Sequence, residues 1–532
     1  MIKQRIKQLL DECFATGVAN GWWPEEAAGR YALEAPKQEA HGDFATNLAM
    51  VAAGLARKQD PARRANPRDL AERLAGLLRR HTDLLASVEV AGPGFVNMRL
   101  AARVWQQVLP AVCELDETFG RSRAGGGRRV LVEFVSANPT GPLSVGHGRQ
   151  AVLGDCIARL LEATGHEVTR EYYFNDAGRQ MRVLGESTRA RYLELLGRPA
   201  TFPEDGYQGE YIYDIARALI DEHGEGLVDA PDEKPFTAKA VEMIFADIRA
   251  TLERLGIVFD SYYNEHSLYE RGLVDEVVAL LRERGLVYEK DGATWFAASR
   301  LGSEKDRVII KSTGEPTYRL PDIAYHREKF RRGFDWLVDI FGADHIATVP
   351  DVLAGVEALG YDRSKVTVVL HQFVTLMREG RQVKMSTRKA NFVTVDELVD
   401  EVGADVVRFF FLMRKADSQL EFDLDLAASQ SQENPVYYVQ YAHARLCSIA
   451  KQAAAQGVAL GEAEAVSLDR LTLPEELAML KVISLFPDLV ERAALDLAPH
   501  RITFYLQELA GQFHSYYNKH RVLSDDADLS RA

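Results

Sequence analysis

A short apolar run at residues 130–135 is followed by a segment rich in glycine and proline and then by a helical pattern over residues 148–164. The segment ends in Pro142-Leu143-Ser144-Val145-Gly146-His147. A strand, a loop and a helix N-terminus in this order form an anion site, because free backbone N–H groups and the helix dipole both favour negative charge. The chain contains no G-x-x-x-x-G-K-[ST] motif, which excludes a P-loop. The sequence therefore predicts a phosphate site of the Rossmann type.

Strand-like runs alternate with helical patterns through the middle of the chain. Further β-branched or aromatic runs occupy residues 167–174, 336–341 and 366–372, with helical patterns at 177–196 and 350–359. This alternation is typical of a doubly wound parallel sheet. Residues 183–305 interrupt the rhythm and are interpreted as an insertion. The predicted fold class is α/β, with a Rossmann-type parallel-sheet catalytic domain, an N-terminal α/β domain and a C-terminal all-α helical bundle.

Changes of pattern along the 532 residues predict three domains. Residues 1–112 form a compact α/β unit, with helical patterns at 2–14, 44–56 and 67–84 and a strand pair, 87–90 with 95–100. Residues 128–400 carry the parallel sheet, and everything from residue 395 onward is predicted to be helical, with 401–532 forming the bundle. An acidic helix start at 525–528 is soon cut off, so we expect the bundle to lack a C-terminal helix.

Composition excludes several classes of protein. The longest apolar runs are too short to span a membrane, and the N-terminal segment has no cleavable apolar region, so we expect a cytoplasmic protein. Four cysteines without a C-x-x-C pair argue against a zinc site and a disulfide framework. The net charge is −14, yet basic residues cluster at 327–332 and 378–389. These clusters predict a local track for a polyanion; the alternative is a solvated surface.

Two distant segments predict chemistry on ATP. His147 lies where the loop meets the helix, and an imidazole there can stabilise a pentacoordinate phosphorus better than the ground state. The basic segment Lys384-Met385-Ser386-Thr387-Arg388 can close over the same phosphates, with Lys384 on the β- and γ-phosphates and hydrogen bonds from Ser386 and Arg388. Each signal alone has an ordinary structural alternative. Together they predict ATP-dependent activation of a carboxylic acid.

Polar residues also follow a later strand. Gly342-Ala343-Asp344-His345 comes directly after the run at 336–341. Because ligands bind beyond the carboxyl ends of such strands, this quartet is well placed for ribose hydroxyls. The alternative is that Asp344 simply caps the next helix.

Several acids are candidates for the same pocket. Glu133 lies inside an apolar strand, where a carboxylate is costly unless it is paired, and Asn138 follows five residues later. Tyr318 and Asp322 are four residues apart and can share one helix face. Glu265 is either a loop residue or a site residue. Asp176 is interpreted as the N-cap of the following helix.

These motifs resemble the bacterial arginyl-tRNA synthetases, a class I aminoacyl-tRNA synthetase family. The resemblance rests on residues 132–147 and on Glu171-Tyr172-Tyr173-Phe174-Asn175-Asp176-Ala177-Gly178-Arg179-Gln180, and it extends to residues 41–47, 91–95 and 434–445. It covers nearly the whole chain. Two positions depart from the family pattern: Ser144 replaces the first histidine of one signature, and Arg388 replaces the second lysine of the other.

The resemblance implies an arginine–tRNA ligase that forms arginyl-adenylate from L-arginine and ATP with Mg²⁺, and then charges the terminal 2′-hydroxyl of tRNA(Arg). Residues 1–112 would contact tRNA, and the bundle would bind the anticodon. His147 and Lys384 would be catalytic, and no resident metal is implied. The implied ATP contacts are Ser144, Gly146, His147, Gly342, Asp344, His345, Lys384, Ser386 and Arg388. The implied arginine contacts are Glu133 and Asn138 near the α-amino group and Glu265, Tyr318 and Asp322 around the guanidinium.

Two other functions remain open from the sequence, and we expect a monomer in each case. One is a nucleotidyl-transferring ligase of the same fold without tRNA, which the helical last hundred residues disfavour. The other is a non-catalytic tRNA-binding relative, which intact His147, Lys384 and Asp322 disfavour.

Overall fold

The computed structural model describes residues 2–36, 38–59, 65–383, 393–458, 467–524, 526 and 529–530, and structural statements below concern these residues. The first elements in chain order are α1 (Ile2–Ala19), β1 (Leu33–Glu34), β2 (Phe44–Thr46), α2 (Leu48–Gln59), α3 (Pro67–Leu78), β3 (Leu85–Ala91), β4 (Phe95–Leu100), α4 (Ala102–Gln106) and α5 (Val108–Leu115).

The elements of the middle of the chain are β5 (Arg129–Glu133), α6 (Val145–Ala163), β6 (Glu167–Phe174), α7 (Gly178–Leu195), α8 (Glu210–His223), α9 (Lys234–Arg254), β7 (Ser261–Asn264), α10 (His266–Glu270), α11 (Leu273–Glu283), β8 (Val287–Lys290), β9 (Ala293–Phe296), β10 (Arg307–Ile310), α12 (Arg319–Arg331), β11 (Trp336–Gly342), α13 (Val349–Ala358), β12 (Val366–His371), β13 (Val374–Arg378) and β14 (Arg381–Gln382).

The remaining elements are α14 (Val395–Val402), α15 (Ala404–Phe411), β15 (Leu420–Asp423), α16 (Leu424–Ala428), α17 (Pro435–Ala455), α18 (Pro474–Ser484), α19 (Phe486–Leu495) and α20 (His500–Lys519). None of the helices in these described ranges is long and apolar enough to cross a membrane.

The chain divides into two compact units, and the first comprises residues 1–120, 439–489 and 505–532. Its antiparallel sheet has the strand order β1-β2-β4-β3. Helices α1 to α3 cover this sheet with an apolar core, which Leu480 of α18 also joins. Lys481 pairs with Asp43 at 2.7 Å. The predicted helix over 44–56 is wrong at its start, because residues 44–46 pair with β4 and the helix begins at Leu48.

The second unit comprises residues 121–438 and 490–504 and is built on a five-stranded sheet. All strand pairs in it are parallel, in the order β12-β11-β5-β6-β7. This parallel sheet confirms the predicted α/β class. From β5 the chain continues to β6 and β7 on one side of the sheet and later returns to β11 and β12 on the other side. The direction of strand order therefore reverses at β5, and a ligand crevice opens there at the carboxyl ends of the strands.

Three boundaries differ from the sequence-based expectation. Strand β7 lies inside the predicted insertion, yet it forms the edge of the parallel sheet. Helix α7 runs through residue 183 without a break. The chain after residue 395 is not entirely helical, since β15 pairs in parallel with β13. Each pairing joins segments far apart in sequence, and a short apolar run does not reveal its partner.

Candidate active site

One cavity of about 890 Å³ opens at the carboxyl ends of the five parallel strands. Every predicted site residue within the described ranges lines it: Glu133, Asn138, Ser144, Gly146, His147, Glu265, Tyr318, Asp322, Gly342, Asp344 and His345. The remaining predicted residues, Lys384, Ser386 and Arg388, lie outside the described residues. The cavity therefore brings together side chains that sequence analysis took from separate motifs.

A strained turn follows β5 and forms part of the cavity wall. Val135 and Ser136 have φ angles of 67° and 44°, which non-glycine residues and β-branched ones above all rarely adopt. Such residues cost about 1–3 kcal/mol each and persist where their surroundings hold them. Ser136 Oγ donates to Glu133 Oε1 at 2.9 Å and accepts from the Tyr173 backbone N–H at 3.2 Å. The turn thus carries Asn138 into the cavity.

Three acids form a row across neighbouring strands. Asp339 of β11 is in register with Glu133 of β5, which is in register with Glu171 of β6. We call Asp339, Glu133 and Glu171 the acid row. Lys329 of α12, fully buried, donates to Glu133 Oε2 and, at 2.6 Å, to Asp339 Oδ1. Arg332 holds both oxygens of Glu171, at 2.5 and 2.7 Å.

Two cations from α12 and its C-terminal end thus pair with the three carboxylates of the acid row. Burial alone would lower the pKa of Lys329, but Asp339 and Glu133 outweigh burial and raise it. Burial raises the pKa of Glu133 against the opposing effect of Lys329. His326 Nε2 lies 2.9 Å from Asp339 Oδ2, and its Nδ1 lies 2.8 Å from the Asp322 carbonyl oxygen. Glu133 is therefore a paired carboxylate at the cavity wall, not a free one.

This pairing removes two cations, Lys329 and Arg332, from the predicted basic track at residues 327–332. Lys329 is inside the protein, and Arg332 is committed to Glu171. Arg327 and Arg331 share Glu276, at 2.7 and 3.6 Å. In the second predicted cluster, Arg378 Nη2 lies 2.6 Å from both Glu401 oxygens, and residues 384–389 lie outside the described ranges.

One end of the cavity is acidic. Glu265 accepts from Tyr173 Oη and Asn175 Nδ2, each at 2.8 Å, and burial raises its pKa. Asp322 lies in the first turn of α12, and Tyr318, largely exposed, precedes that helix. Burial raises the pKa of Asp322 to about 7; His326 opposes that rise, while Glu265 adds to it. Within the described part, no guanidinium or ammonium pairs with either carboxylate, and an added cation could lower both raised pKa values.

The predicted N-cap role of Asp176 is wrong. Helix α7 has Ala177 at its N-cap position, without a side-chain hydrogen bond. Asp176 Oδ2 instead accepts from Asn264 Nδ2 at 2.9 Å, which ties β7 to the start of α7. Asn138 makes similar ties, accepting from the Asn175 N–H at 3.0 Å and donating to Gln180 Oε1 at 2.8 Å.

The other end of the cavity is a helix N-terminus. Helix α6 begins at Val145, three residues earlier than predicted, and this places His147 in its first turn. The Ser144 backbone N–H donates to His147 Nδ1 at 3.3 Å, so the ring proton belongs on Nε2. Burial lowers the pKa of His147, which favours this neutral donor form. A Cβ on Gly146 would have Ser144 Oγ as its nearest neighbour, at 3.8 Å, so protein packing does not require glycine there.

The Gly342–His345 quartet begins at the end of β11, beside the β12 edge of the sheet. A Cβ on Gly342 would approach Asp344 Oδ1 to 2.4 Å, so a larger residue there would require the Asp344 side chain to turn away. Asp344 lies inside a short 3₁₀ helix that begins at Ala343, whereas α13 has Thr348 at its N-cap position. The alternative that Asp344 caps the next α-helix is therefore wrong.

Among the lining residues that the sequence did not single out are four with polar side chains at the carboxyl ends of strands or on α12: Tyr173, Asn175, His326 and His371. Tyr173 lies near the end of β6, Asn175 follows that strand, and His371 is the last residue of β12. The rule that ligands bind beyond the carboxyl ends of parallel strands, applied to every strand, would have found these three. His326 could have been found four residues after Asp322 on the same helix face.

Comparison with known proteins places this geometry in a family. Residues 111–410 match the model of the class I tRNA synthetase (R) catalytic domain, residues 439–532 match the DALR anticodon binding domain, and residues 1–100 match the arginyl tRNA synthetase N terminal domain. The chain belongs to the class I arginyl-tRNA synthetases. This confirms the resemblance found in the sequence.

Individual relatives agree with this assignment. A protein of Desulfotalea psychrophila named arginine–tRNA ligase is 66% identical over 100% of this chain and 95% of its own length. One of Syntrophotalea carbinolica with the same name is 50% identical over 100% and 95%. The Thermus thermophilus arginyl-tRNA synthetase structure matches 100% of this chain and 96% of its own with a TM-score of 0.71; at 22% identity it supports the fold alone.

Proposed function

We propose that this enzyme ligates L-arginine to tRNA(Arg) through an arginyl-adenylate. The observation that carries the proposal is the single cavity with a cation site of two carboxylates at one end and a helix N-terminus with a histidine donor at the other. An amino acid with a guanidinium side chain and the triphosphate of ATP have the matching charges.

The acidic end would hold the guanidinium. A planar guanidinium presents five donors in a fixed fork, and Asp322 and Glu265 offer carboxylate oxygens for it, with Tyr318 beside them. Asn138 and Glu133 would receive the α-amino group. A bound ammonium would favour the ionised form of Glu133, whose pKa burial raises in the free enzyme.

The helix end would hold the phosphates. His147 Nε2–H would donate to the α-phosphate region, Ser144 and Gly146 would line the triphosphate, and Gly342, Asp344 and His345 would contact the ribose. Lys384, Ser386 and Arg388 are proposed to close over the β- and γ-phosphates on sequence grounds alone. Mg²⁺ would enter as part of the MgATP substrate.

Chemistry then needs no protein nucleophile. The arginine carboxylate oxygen attacks the α-phosphorus, and pyrophosphate leaves with the electrons of the broken P–O bond. The terminal 2′-hydroxyl of tRNA next attacks the arginyl carbonyl carbon, loses its proton, and displaces AMP. The protein contributes positioning and stabilisation of developing charge. We further propose tRNA contacts by residues 1–112, anticodon binding by 401–532, and a cytoplasmic monomer.

The test measures two reactions on one preparation. Arginine-dependent exchange of pyrophosphate into ATP, with tRNA present, reports adenylate formation, and charging of tRNA(Arg) with labelled arginine reports transfer. Both are expected with arginine, and neither is expected with lysine or citrulline, because a site built for a hydrogen-bonded group rejects such analogues by a factor on the order of 10⁴. Exchange without charging would indicate a ligase acting without tRNA, and tRNA binding without either reaction would indicate a non-catalytic relative.

A further inference from the structure

The histidine at the end of β12 has a nitrogen without a partner. His371 is 6% exposed and lines the cavity. Its Nε2 is buried and has no hydrogen-bond partner among the residues that the structure describes. A buried polar atom left unsatisfied costs about 1–3 kcal/mol, so such atoms are rare unless a ligand completes them.

The ring must offer a lone pair at that nitrogen. His371 Nδ1 lies 3.3 Å from the Gln372 carbonyl oxygen, which is an acceptor, so the proton belongs on Nδ1. Burial lowers the pKa of His371 to about 4, which agrees with a neutral ring near pH 7. Nε2 is therefore an acceptor and needs a donor from the ligand. Phosphate oxygens carry no proton at neutral pH and cannot fill this role.

Strand order locates the donor along the cavity. His371 is in register with Gly342 on the adjacent strand. Strand β12 is at one edge of the sheet, and β7, which leads into Glu265, is at the other. Four strand spacings separate them, about 19 Å at the usual distance between strands. The guanidinium site is thus out of reach, and the nearest proposed ligand group is the nucleoside beside Gly342.

We propose that His371 Nε2 accepts a hydrogen bond from the nucleoside half of ATP. The possible donors there are the ribose hydroxyls and the 6-amino group of adenine. This assignment rests on the proposed function, since it takes ATP as the ligand. His371 becomes a specificity residue for the nucleotide, opposite in hydrogen-bond sense to His147, whose Nε2 donates.

The experiment measures ATP affinity by titration calorimetry on the full-length enzyme. His371→Phe removes the acceptor and keeps a ring, and it is expected to weaken ATP binding about tenfold, the cost of one hydrogen bond. His371→Gln keeps an acceptor and is expected to stay within about threefold of wild type. The exposed His223 is the matched control, and His223→Phe is expected to bind ATP like the wild type.

Nucleotide analogues identify the donor. Wild type and His371→Phe are titrated with 2′-deoxyATP, 3′-deoxyATP and purine riboside triphosphate, which lacks the 6-amino group. The analogue without the true donor should bind the wild type about as weakly as ATP binds the variant, with no further loss in the variant. An equal fold-loss from His371→Phe with all three analogues would overturn the proposal.

A stability measurement separates ligand contact from packing. His371→Phe removes the unsatisfied Nε2 and also the Nδ1–H bond to the Gln372 carbonyl oxygen, which still accepts from Arg149 Nη1 at 2.6 Å, so without ATP the variant should melt close to wild type. A lower melting temperature together with unchanged ATP affinity would indicate a packing role and refute the proposal, and His371→Leu repeats this comparison if the larger ring does not fold. Wild type that binds ATP but shows no arginine-dependent exchange would reject the proposed ligase function while leaving the His371 contact standing.

Discussion

At the scale of single residues, two histidines in one cavity have opposite hydrogen-bond roles. His147 receives the Ser144 N–H on Nδ1 and can donate from Nε2, whereas His371 Nδ1 faces a carbonyl and its Nε2 can only accept. The residue type alone does not tell whether Nε2 donates or accepts, because a neutral imidazole can carry its proton on either nitrogen. The backbone group beside each ring decides.

We predict that His147→Ala slows adenylate formation far more than it weakens ATP binding. A donor aimed at charge that develops on the α-phosphate contributes about 2.7–4 kcal/mol in the transition state, or a factor of roughly 10²–10³. The measurement is arginine-dependent pyrophosphate exchange over a range of ATP concentrations. A tenfold rise in the KM for ATP with unchanged turnover would show that His147 only binds ground-state ATP.

We predict that kcat/KM for arginine rises between pH 6 and pH 8. Asp322 has a raised pKa of about 7 in the free enzyme, so it is mostly protonated below that pH and cannot pair with a guanidinium. Asp322→Asn should abolish this rise, increase the KM for arginine strongly and leave the KM for ATP nearly unchanged. The measurement is exchange at saturating ATP across this pH range; an unchanged pH profile in Asp322→Asn would assign the titration to another group.

The same carboxylate should lower stability at high pH. When the pKa of an acid is higher in the folded than in the unfolded state, the free energy of unfolding falls as the pH rises from the unfolded-state pKa through the folded-state pKa. Asp322→Asn copies the protonated form, so its melting temperature at pH 8 should equal or exceed that of wild type. Weakened arginine binding without loss of stability distinguishes a binding residue from a packing residue.

At the scale of elements, helix α12 supplies most of the charged wall. Tyr318 precedes it, and Asp322, His326 and Lys329 follow at spacings that place them on one face toward the sheet. The helix therefore carries both the proposed guanidinium ligand Asp322 and Lys329, the cation that pairs with Glu133 and Asp339. Moving this helix would disturb both ends of the arginine site together.

We predict that Lys329→Met destabilises the second unit by about 3–5 kcal/mol, because it leaves Asp339 and Glu133 buried without their cation. Arg331→Met, on the same helix but half exposed, is the control and should change stability little. Adding Asp339→Asn to Lys329→Met should recover part of the loss, since one fewer charge stays buried. The measurement is thermal unfolding, monitored by calorimetry. Equal melting temperatures for Lys329→Met and Arg331→Met would refute the counter-ion role of Lys329.

At the scale of the whole molecule, a net charge of −14 must be reconciled with binding a polyanion. In the first basic cluster Lys329 and Arg332 are held by acids of the parallel sheet, and Arg327 and Arg331 share Glu276. We therefore expect the segment at 378–389, the other cluster in the sequence, to contribute more to electrostatic contact with tRNA.

We predict that tRNA affinity falls with salt, but that Arg327→Gln and Arg331→Gln leave the slope of log K against log salt unchanged. Arg381→Gln, at an exposed position, and Lys389→Gln should each make the slope shallower by about 0.7–0.9, the release of one counterion. The measurement is tRNA binding at several salt concentrations. A shallower slope in the Arg327 variant would restore the first cluster as a tRNA contact.

The sequence by itself determined the local pieces and the family. The strand, loop and helix that end in His147, the parallel α/β class and the arginyl-tRNA synthetase motifs depend on periodicity and short spacings, which are properties of neighbouring residues. Asn138, His147, Asp322 and Gly342–His345 were found for the same reason, since they follow a strand or lie where a helix opens; Glu133 lies inside a strand and Glu265 in the segment interpreted as an insertion.

Tertiary structure decided what depends on partners distant in sequence. Strand order set Asp339, Glu133 and Glu171 side by side, and only that order turned Lys329 from an apparent surface cation into a buried counter-ion. The pKa of Asp322 is raised, and Nε2 of His371 is buried without a partner among the described residues, because elements far along the chain shield both groups from water. Desolvation and charge pairing depend on the surrounding atoms in three dimensions, and periodicity along the chain carries no record of them.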